Sequence, residues 1–117
     1  MNPVRDPRLY LDDMLSAAAD LQQLASEGEA AFMAEYRSRL AAERLIEIIG
    51  EAAAQMPAGF KERFADVPWR VLSDMRNRLI HGYHSVNSAR VWQTLVNDIP
   101  VLVIQLQAVL AELEKSS

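Results

Sequence analysis

Five residues within one short stretch of the chain have side chains suited to handling a phosphate or a proton. They are Arg76, Asn77, Arg78, His81 and Tyr83. An imidazole exchanges protons near neutral pH, and a guanidinium offers a fixed fork of N–H donors for phosphate oxygens. Such groups suit cleavage of RNA, in which a base removes the proton of a ribose 2′-hydroxyl and the oxygen attacks the adjacent phosphate. This chemistry needs no metal ion or other cofactor.

Helix geometry limits which of these side chains can act together. Asn77 and His81 are four positions apart, so on a helix they lie one above the other and the amide can orient the imidazole. Arg76 and His81 are five positions apart, which separates them by about 140° around the axis. Because convergence within one helix is awkward, the spacing favours a homodimer in which each subunit contributes a copy of the helix to a common cleft.

Each of these residues also has an ordinary structural interpretation. A histidine near a helix end is favoured by the helix dipole, and arginines such as Arg76 and Arg78 are often solvated or paired with carboxylates. Tyr83 fits a half-buried aromatic residue with its hydroxyl at the surface. Glu47 and Glu51 share a helix face upstream and are positioned either to pair with Arg76 or to remain solvated.

Charge is distributed unevenly along the 117-residue chain. The net charge is −4, but residues 61–90 contain six basic and three acidic residues, so this stretch carries +3 and the remainder −7. A basic segment around the candidate site is compatible with RNA as a partner, although scattered charges on solvated helix faces would give a similar pattern. Arg78 is the further candidate for contact with RNA. The absence of cysteine excludes disulfides and thiolate zinc sites.

The first half of the chain predicts two long helical tracts and one short one. Apolar residues recur at helical spacing from Leu11 to Ala25. A second helical tract begins near Glu29 and has apolar residues along one side from Phe32 to Met56, with a break expected near residues 38–41. Pro57 and Gly59 end the second tract. A short amphipathic piece, residues 60–64, leads to the segment that carries the candidate site.

The second half predicts two further helices. Pro68 suits the first turn of the helix that carries Arg76, and Gly82 suits its end. The apolar spacing predicts that Leu72, Met75 and Leu79 of this helix point inward. Asn87 or Ser88 can cap the last helix, which Pro100 should kink without ending. The predicted inward positions of this last helix are Trp92, Leu95, Val96, Ile99, Val103, Leu106, Leu110 and Leu113. Trp69, in the preceding helix, is also predicted to lie in the core. The expected architecture is all-α, one domain over residues 1–117, built as a bundle of four or five helices.

The stretch from Arg76 to Tyr83 has the form Arg-x4-His-x-Tyr, which resembles the motif of the HepT toxins within the HEPN ribonucleases. Residues 8–14, 42–53, 67–69 and 91–92 also resemble this family, in the family's order, so the resemblance covers nearly the whole chain. It implies a HEPN helical bundle, a homodimer with a shared cleft and metal-independent RNA cleavage by a toxin. It also implies a type VII-like system, in which a MntA-like minimal nucleotidyltransferase antitoxin attaches AMP to Tyr83.

Two other functions are compatible with the same residues. One is a non-catalytic dimeric HEPN module that binds a nucleotide or a nucleotidyltransferase partner through the basic cleft. The other is a dimeric helical scaffold, which accounts for the core but not for the motif. The presence of both Arg76 and His81 favours the enzyme, since a pure binder has no need of a proton-transfer group.

The cellular compartment of the protein is predicted from the first eight residues, which do not have the pattern of a signal peptide. Residues 1–8 contain three charges and two prolines where a signal peptide has an apolar run, and nowhere do eighteen apolar residues stand together. We therefore expect a cytoplasmic protein that does not associate with a membrane.

Overall fold

The computed structural model describes residues 5–81 and 87–115, which confirm the predicted all-α fold. No strand occurs within these two ranges, where four long helical segments and two short helices form the bundle. Tyr83 and the predicted helix end at Gly82 lie outside the described residues. The elements are α1 (Pro7–Ser26), α2 (Glu29–Ala34), α3 (Tyr36–Gln55), α4 (Ala58–Arg63), α5 (Trp69–His81), α6 (Ser88–Gln93), a π-helical turn (Thr94–Asp98) and α7 (Ile99–Lys115).

Helix α1 begins and ends at residues that suit helix termini. The carboxylate of Asp6 accepts a hydrogen bond from the backbone N–H of Arg8, and Pro7 occupies the first turn, where its missing N–H leaves no bond unmade. Beyond the helix, Gly28 has a φ of +96°, a conformation that strains any residue with a Cβ atom. The buried face of α1 packs against α3 and α7 and consists of Leu11, Met14, Ala17, Ala18 and Leu21.

The break in the second tract was predicted too late in the sequence. Helix α2 ends at Ala34, and Glu35 has an extended backbone, with φ −103° and ψ 110°, before α3 starts at Tyr36. The carboxylate of Glu35 then accepts a bond from the N–H of Arg37 and so caps α3. The break leaves Phe32 buried against the ring of Trp92, with 5.4 Å between ring centroids.

The last helix starts at the predicted cap and contains one irregular turn. The side-chain oxygen of Asn87 accepts bonds from two backbone N–H groups of the first turn, and the helix runs through Pro100 as predicted. Proline cannot donate to a preceding carbonyl, and the strain is relieved by the π-helical turn just before it. Val96 lies in this turn at 39% exposure, contrary to prediction, and Leu102 and Val109, which were not among the predicted inward positions, are buried.

The segment Ser88–Lys115 is long and apolar enough, by length and composition alone, to cross a membrane. Of its most apolar 18-residue stretch, 28% is buried in the structure. The buried side, which includes Leu102 and Leu106, packs against α1, as core helices of bundles do. Val101 and Ile104, at 54% and 68% exposure, leave an apolar strip on the other side.

Helix α5 is held close to α3, and this contact positions the candidate site. Gly50 of α3 is buried directly beneath α5. A Cβ atom built at Gly50 would lie 2.6 Å from the carbonyl oxygen of Leu72 and nearer still to Cβ of Arg76. Only glycine permits this approach, so the small residue on α3 sets the height of Arg76 above the core.

Candidate active site

Helix α5 separates the candidate side chains between its two sides. Leu72 is buried against α3, and Met75 and Leu79 are half-buried beside it, as predicted. Residues two apart on a helix differ by about 200° in direction, so Arg76 and Arg78 point away from each other. Arg76 lies over α3 and is only 23% exposed, whereas Arg78 is exposed on the opposite side.

The guanidinium of Arg76 is held by two residues. Its Nη1 donates to Oε2 of Glu51 on α3 at 2.5 Å. Its Nε and Nη2 both donate to Oδ1 of Asn77, at 3.1 and 2.7 Å. A guanidinium has about five N–H donors. Three of them are therefore used within the described part of the chain, and one on each terminal nitrogen is left to bind an anion.

A chain of hydrogen bonds continues from Glu51 across α3 to α1. The other carboxylate oxygen, Oε1, accepts from Nε2 of Gln55 at 2.7 Å, and Oε1 of Gln55 accepts from the Tyr10 hydroxyl at 3.2 Å. The guanidinium of Arg5 lies over the Tyr10 ring, 4.8 Å from its centroid. These residues line a polar cleft of about 310 Å³ between α1, α3 and α5.

The electrostatics of the cleft follow from these bonds. The hydrogen bond from Arg76, and after it the bond from Gln55, hold the pKa of the Glu51 carboxyl below its ordinary value. Glu51 is therefore ionised at neutral pH and opposes part of the charge of Arg76. Two turns earlier on α3, burial and then the nearby charge of Glu47 raise the pKa of Glu43.

A second and larger groove runs along the other side of α5. It has a volume of about 660 Å³ and lies between α5, α6 and the π-helical turn. Met75, Leu79 and Val91 contribute its apolar surface, and the exposed arginines Arg78 and Arg90 also line it. This groove combines apolar surface with two cations, a combination suited to a base and its phosphate.

The structure joins two of the predicted site residues and separates a third from them. Arg76 and Asn77 are in direct contact, and Arg78 faces the other groove. His81 is the last residue of α5, one turn beyond Asn77, and its side chain lies outside the described part, as does Tyr83. The predicted orientation of His81 by Asn77 stays a prediction. The Asn77 oxygen accepts from Arg76, which leaves its amide nitrogen as the group that could contact His81.

The pairing of Glu51 with Arg76, one of the two alternatives for the upstream carboxylates, is present. Glu47 instead lies 3.4 Å from Nη1 of Arg44. The sequence pattern did not indicate Gln55 and Tyr10 as members of this cleft. The four-residue spacing of Glu51 and Gln55 could have indicated their contact, but the approach of Tyr10 from α1 left no local signal. Within residues 5–81 and 87–115 no group of three His, Asp or Glu side chains could hold a metal ion.

The described residues form an all-α bundle, as expected for a HEPN domain, and Arg76 is partly buried and held by two residues. The family model described as "Ribonuclease HepT-like" matches residues 14–109. Because that match spans most of the chain, the protein belongs to the HepT-like ribonuclease family.

Curated relatives agree with this assignment. The chain is 34% identical over 99 residues to a protein named as a probable ribonuclease HepT from Thermococcus cleftensis, covering 84% of this chain and 90% of the relative. It is 30% identical over 114 residues to a protein provisionally named as an RNase from Methanocaldococcus jannaschii, covering 97% and 98%. A second such protein from that organism is 26% identical over 113 residues, covering 96% and 93%. No solved structure matches the chain.

Proposed function

We propose that the protein is a metal-independent endoribonuclease and the toxin of a type VII-like toxin–antitoxin pair. Membership of the HepT-like ribonuclease family supports the cleavage of RNA. The observation that carries the mechanism is that Glu51 and Asn77 hold the guanidinium of Arg76 by hydrogen bonds. Two of its N–H groups remain available, and the bonds to Glu51 and Asn77 fix the direction in which they point. A guanidinium held in this way can bind a phosphate without first losing conformational freedom.

The reaction is a transfer of the phosphate from one ribose oxygen to another. A base, for which His81 is the candidate, takes the proton of the 2′-hydroxyl, and the 2′-oxygen forms a bond to phosphorus. The bond from phosphorus to the 5′-oxygen of the next nucleotide breaks, and that oxygen receives a proton from an acid. The products are a 2′,3′-cyclic phosphate and a 5′-hydroxyl. Arg76 stabilises the added negative charge on the phosphate as the new bond forms.

Cleavage of RNA in EDTA tests this mechanism. The purified protein should produce 2′,3′-cyclic phosphate ends, and His81→Ala and Arg76→Ala should each lower the rate about 10²- to 10⁴-fold. Arg37→Ala, a change at an exposed arginine on α3, is the matched control and should retain the rate. Dependence on a divalent metal, or undiminished activity of His81→Ala, would refute the mechanism. Binding of RNA without any cleavage would favour the non-catalytic module instead.

The active form is proposed to be a homodimer with the two α5 helices facing a shared cleft. Val71 on α5, at 54% exposure, together with exposed Val101 and Ile104 on α7, provides apolar surface for such an interface. Mixing Arg76→Ala with His81→Ala subunits should restore activity if each working site takes one residue from each chain. A fully active monomer would rule out the shared cleft.

Control of the toxin is proposed to act at Tyr83. A MntA-like nucleotidyltransferase would attach AMP to the hydroxyl, which adds a phosphate and a bulky base two positions beyond His81. Co-expression with such a partner should give adenylate mass increments in the wild type and none in Tyr83→Phe, which should also resist neutralisation. Increments that persist in Tyr83→Phe would place the modification elsewhere. A protein acting in this way on cellular RNA is expected in the cytoplasm, which fractionation would test.

A further inference from the structure

Glu51 is placed differently from the other carboxylates around the cleft. Both of its oxygens accept hydrogen bonds, one from Arg76 on α5 and one from Gln55 on its own helix. Gln55 is itself bonded to the hydroxyl of Tyr10 on α1. The carboxylate is thus fixed from both sides, although its side chain is 52% exposed. A solvated surface pair would not need this second set of bonds.

We infer that Glu51 is a positioning residue, which holds the guanidinium of Arg76 in the orientation that binds the scissile phosphate. This inference rests on the proposed function. Glu51 uses one N–H of Nη1, and Asn77 uses Nε and one N–H of Nη2, so the two remaining donors share the plane that these bonds define. Removing Glu51 frees one end of the guanidinium, which then pivots about Asn77.

The charge of Glu51 separates a positioning role from a role in binding RNA. A carboxylate beside the site repels the phosphate, so its neutralisation should leave RNA binding unchanged or stronger. Loss of orientation should act on the bond-making step, because a displacement of about 1 Å can lower a rate about 100-fold. Neutralising Glu51 should therefore lower kcat while KM stays the same or falls.

Steady-state cleavage by Glu51→Gln tests this directly. We expect kcat to fall about 10- to 100-fold with KM unchanged or lower, while Glu51→Asp, which keeps the charge, recovers part of kcat. The matched control is Glu47→Gln, one turn earlier on the same helix and paired with Arg44, which should change kcat by less than about twofold. Wild-type kcat in Glu51→Gln, or a raised KM at full kcat, would overturn the inference.

Chemical rescue gives a readout that a purely structural role would not change. Free guanidinium added to Arg76→Ala should bind the fixed carboxylate and raise the cleavage rate at least about tenfold. The same cation should give no rescue in Arg76→Ala/Glu51→Gln. Equal rescue in both variants, or none in Arg76→Ala, would show that Glu51 does not hold the cation.

One measurement is independent of activity. In nitrogen-15 NMR spectra, the guanidinium N–H signals of Arg76 should be slowed in rotation and exchange in the wild type and in Glu47→Gln. In Glu51→Gln, these N–H groups should rotate and exchange with solvent rapidly, so that their signals broaden or disappear. If the wild type cleaves no RNA, the proposed function fails, and these spectra still decide whether Glu51 holds Arg76. Signals that are equally slow in Glu51→Gln would refute the anchoring itself.

Discussion

Replacing Gly50 with alanine should disturb both the stability and the activity of the protein, because it adds one methyl group where α3 and α5 meet. The new Cβ would lie 2.6 Å from the carbonyl oxygen of Leu72 and in closer conflict with Cβ of Arg76. The Leu72 oxygen is a backbone atom, and Cβ of Arg76 is attached directly to the backbone. No flexible side-chain end can move aside, so the two helices must separate.

The expected loss of stability follows from the distance by which α3 and α5 must separate to make room for the new methyl group. Ordinary contact begins at 3.4 Å, against the 2.6 Å measured at Leu72, so α5 has to move by about 1 Å. Inserting a methyl group into a packed contact costs about 1–3 kcal/mol, and the higher helix propensity of alanine returns up to about 1 kcal/mol. We expect a net loss of about 1–2 kcal/mol, or about 4–8 °C in Tm. Because Arg76 moves with α5, kcat should also fall, by up to about 100-fold.

Urea unfolding and RNA cleavage, measured on the same preparations, check both effects. Gly59→Ala is the matched control, since a Cβ atom at this position in α4 meets nothing within 4 Å. That variant should be unchanged or more stable by up to about 1 kcal/mol, and it should cleave RNA at the wild-type rate. If Gly50→Ala behaves like Gly59→Ala in both assays, the close contact between α3 and α5 does not set the position of Arg76.

Two further predictions concern single interactions. Because the pKa of Glu51 is lowered in the folded state, its ionisation stabilises the protein above its ordinary pKa, and this stabilisation is lost as pH falls through the lowered value. Thermal scans should therefore show a larger loss of Tm between about pH 6 and about pH 3 in the wild type than in Glu51→Gln; parallel curves would contradict the assignment. Asn87→Ala removes the acceptor that caps two backbone N–H groups of α6 and should cost about 1 kcal/mol, whereas Asn87→Ser should retain most of the stability; equal Tm values for the two variants would contradict the capping role.

The helices were largely predictable because their positions depend on local patterns. The spacing of apolar residues located α1, α5 and the last helix, and the burial of Trp69 and Trp92 at 6% and 7% exposure follows the predicted core. The break at Glu35 was placed too late because residues on both sides of it have helical propensity. The contact of Phe32 with Trp92, far away in the sequence, accompanies the break there, and periodicity carries no information about such a contact.

The sequence indicated which residues belong to the candidate site better than it indicated how their side chains contact each other. The spacing placed Asn77 beneath His81, but it did not indicate that the Asn77 oxygen accepts from Arg76. That bond depends on the conformations of two adjacent side chains, which helix angles do not specify. The contact between Arg76 and Glu51 requires α3 and α5 to cross at a particular height. Gly50 sets this height, and its role becomes visible only once the partner helix is in place.

The positions of the two motif arginines relative to the core give them different tasks. Arg76 lies where α5 meets α3, so the packing of the two helices positions its first carbons, and the bonds to Glu51 and Asn77 orient its guanidinium. Arg78 is on the opposite side of α5 and lines a groove, and it forms no ion pair with the described residues, so its guanidinium is not held in the way that Arg76 is. A rigid donor suits a transition state whose geometry is fixed, and a mobile cation suits a phosphate backbone that can enter in several conformations. Because the two arginines line different clefts, we expect a phosphate bound by one of them not to reach the other. We therefore expect an RNA strand that contacts both to pass around the end of α5, where His81 lies, or to span the two subunits of the proposed dimer.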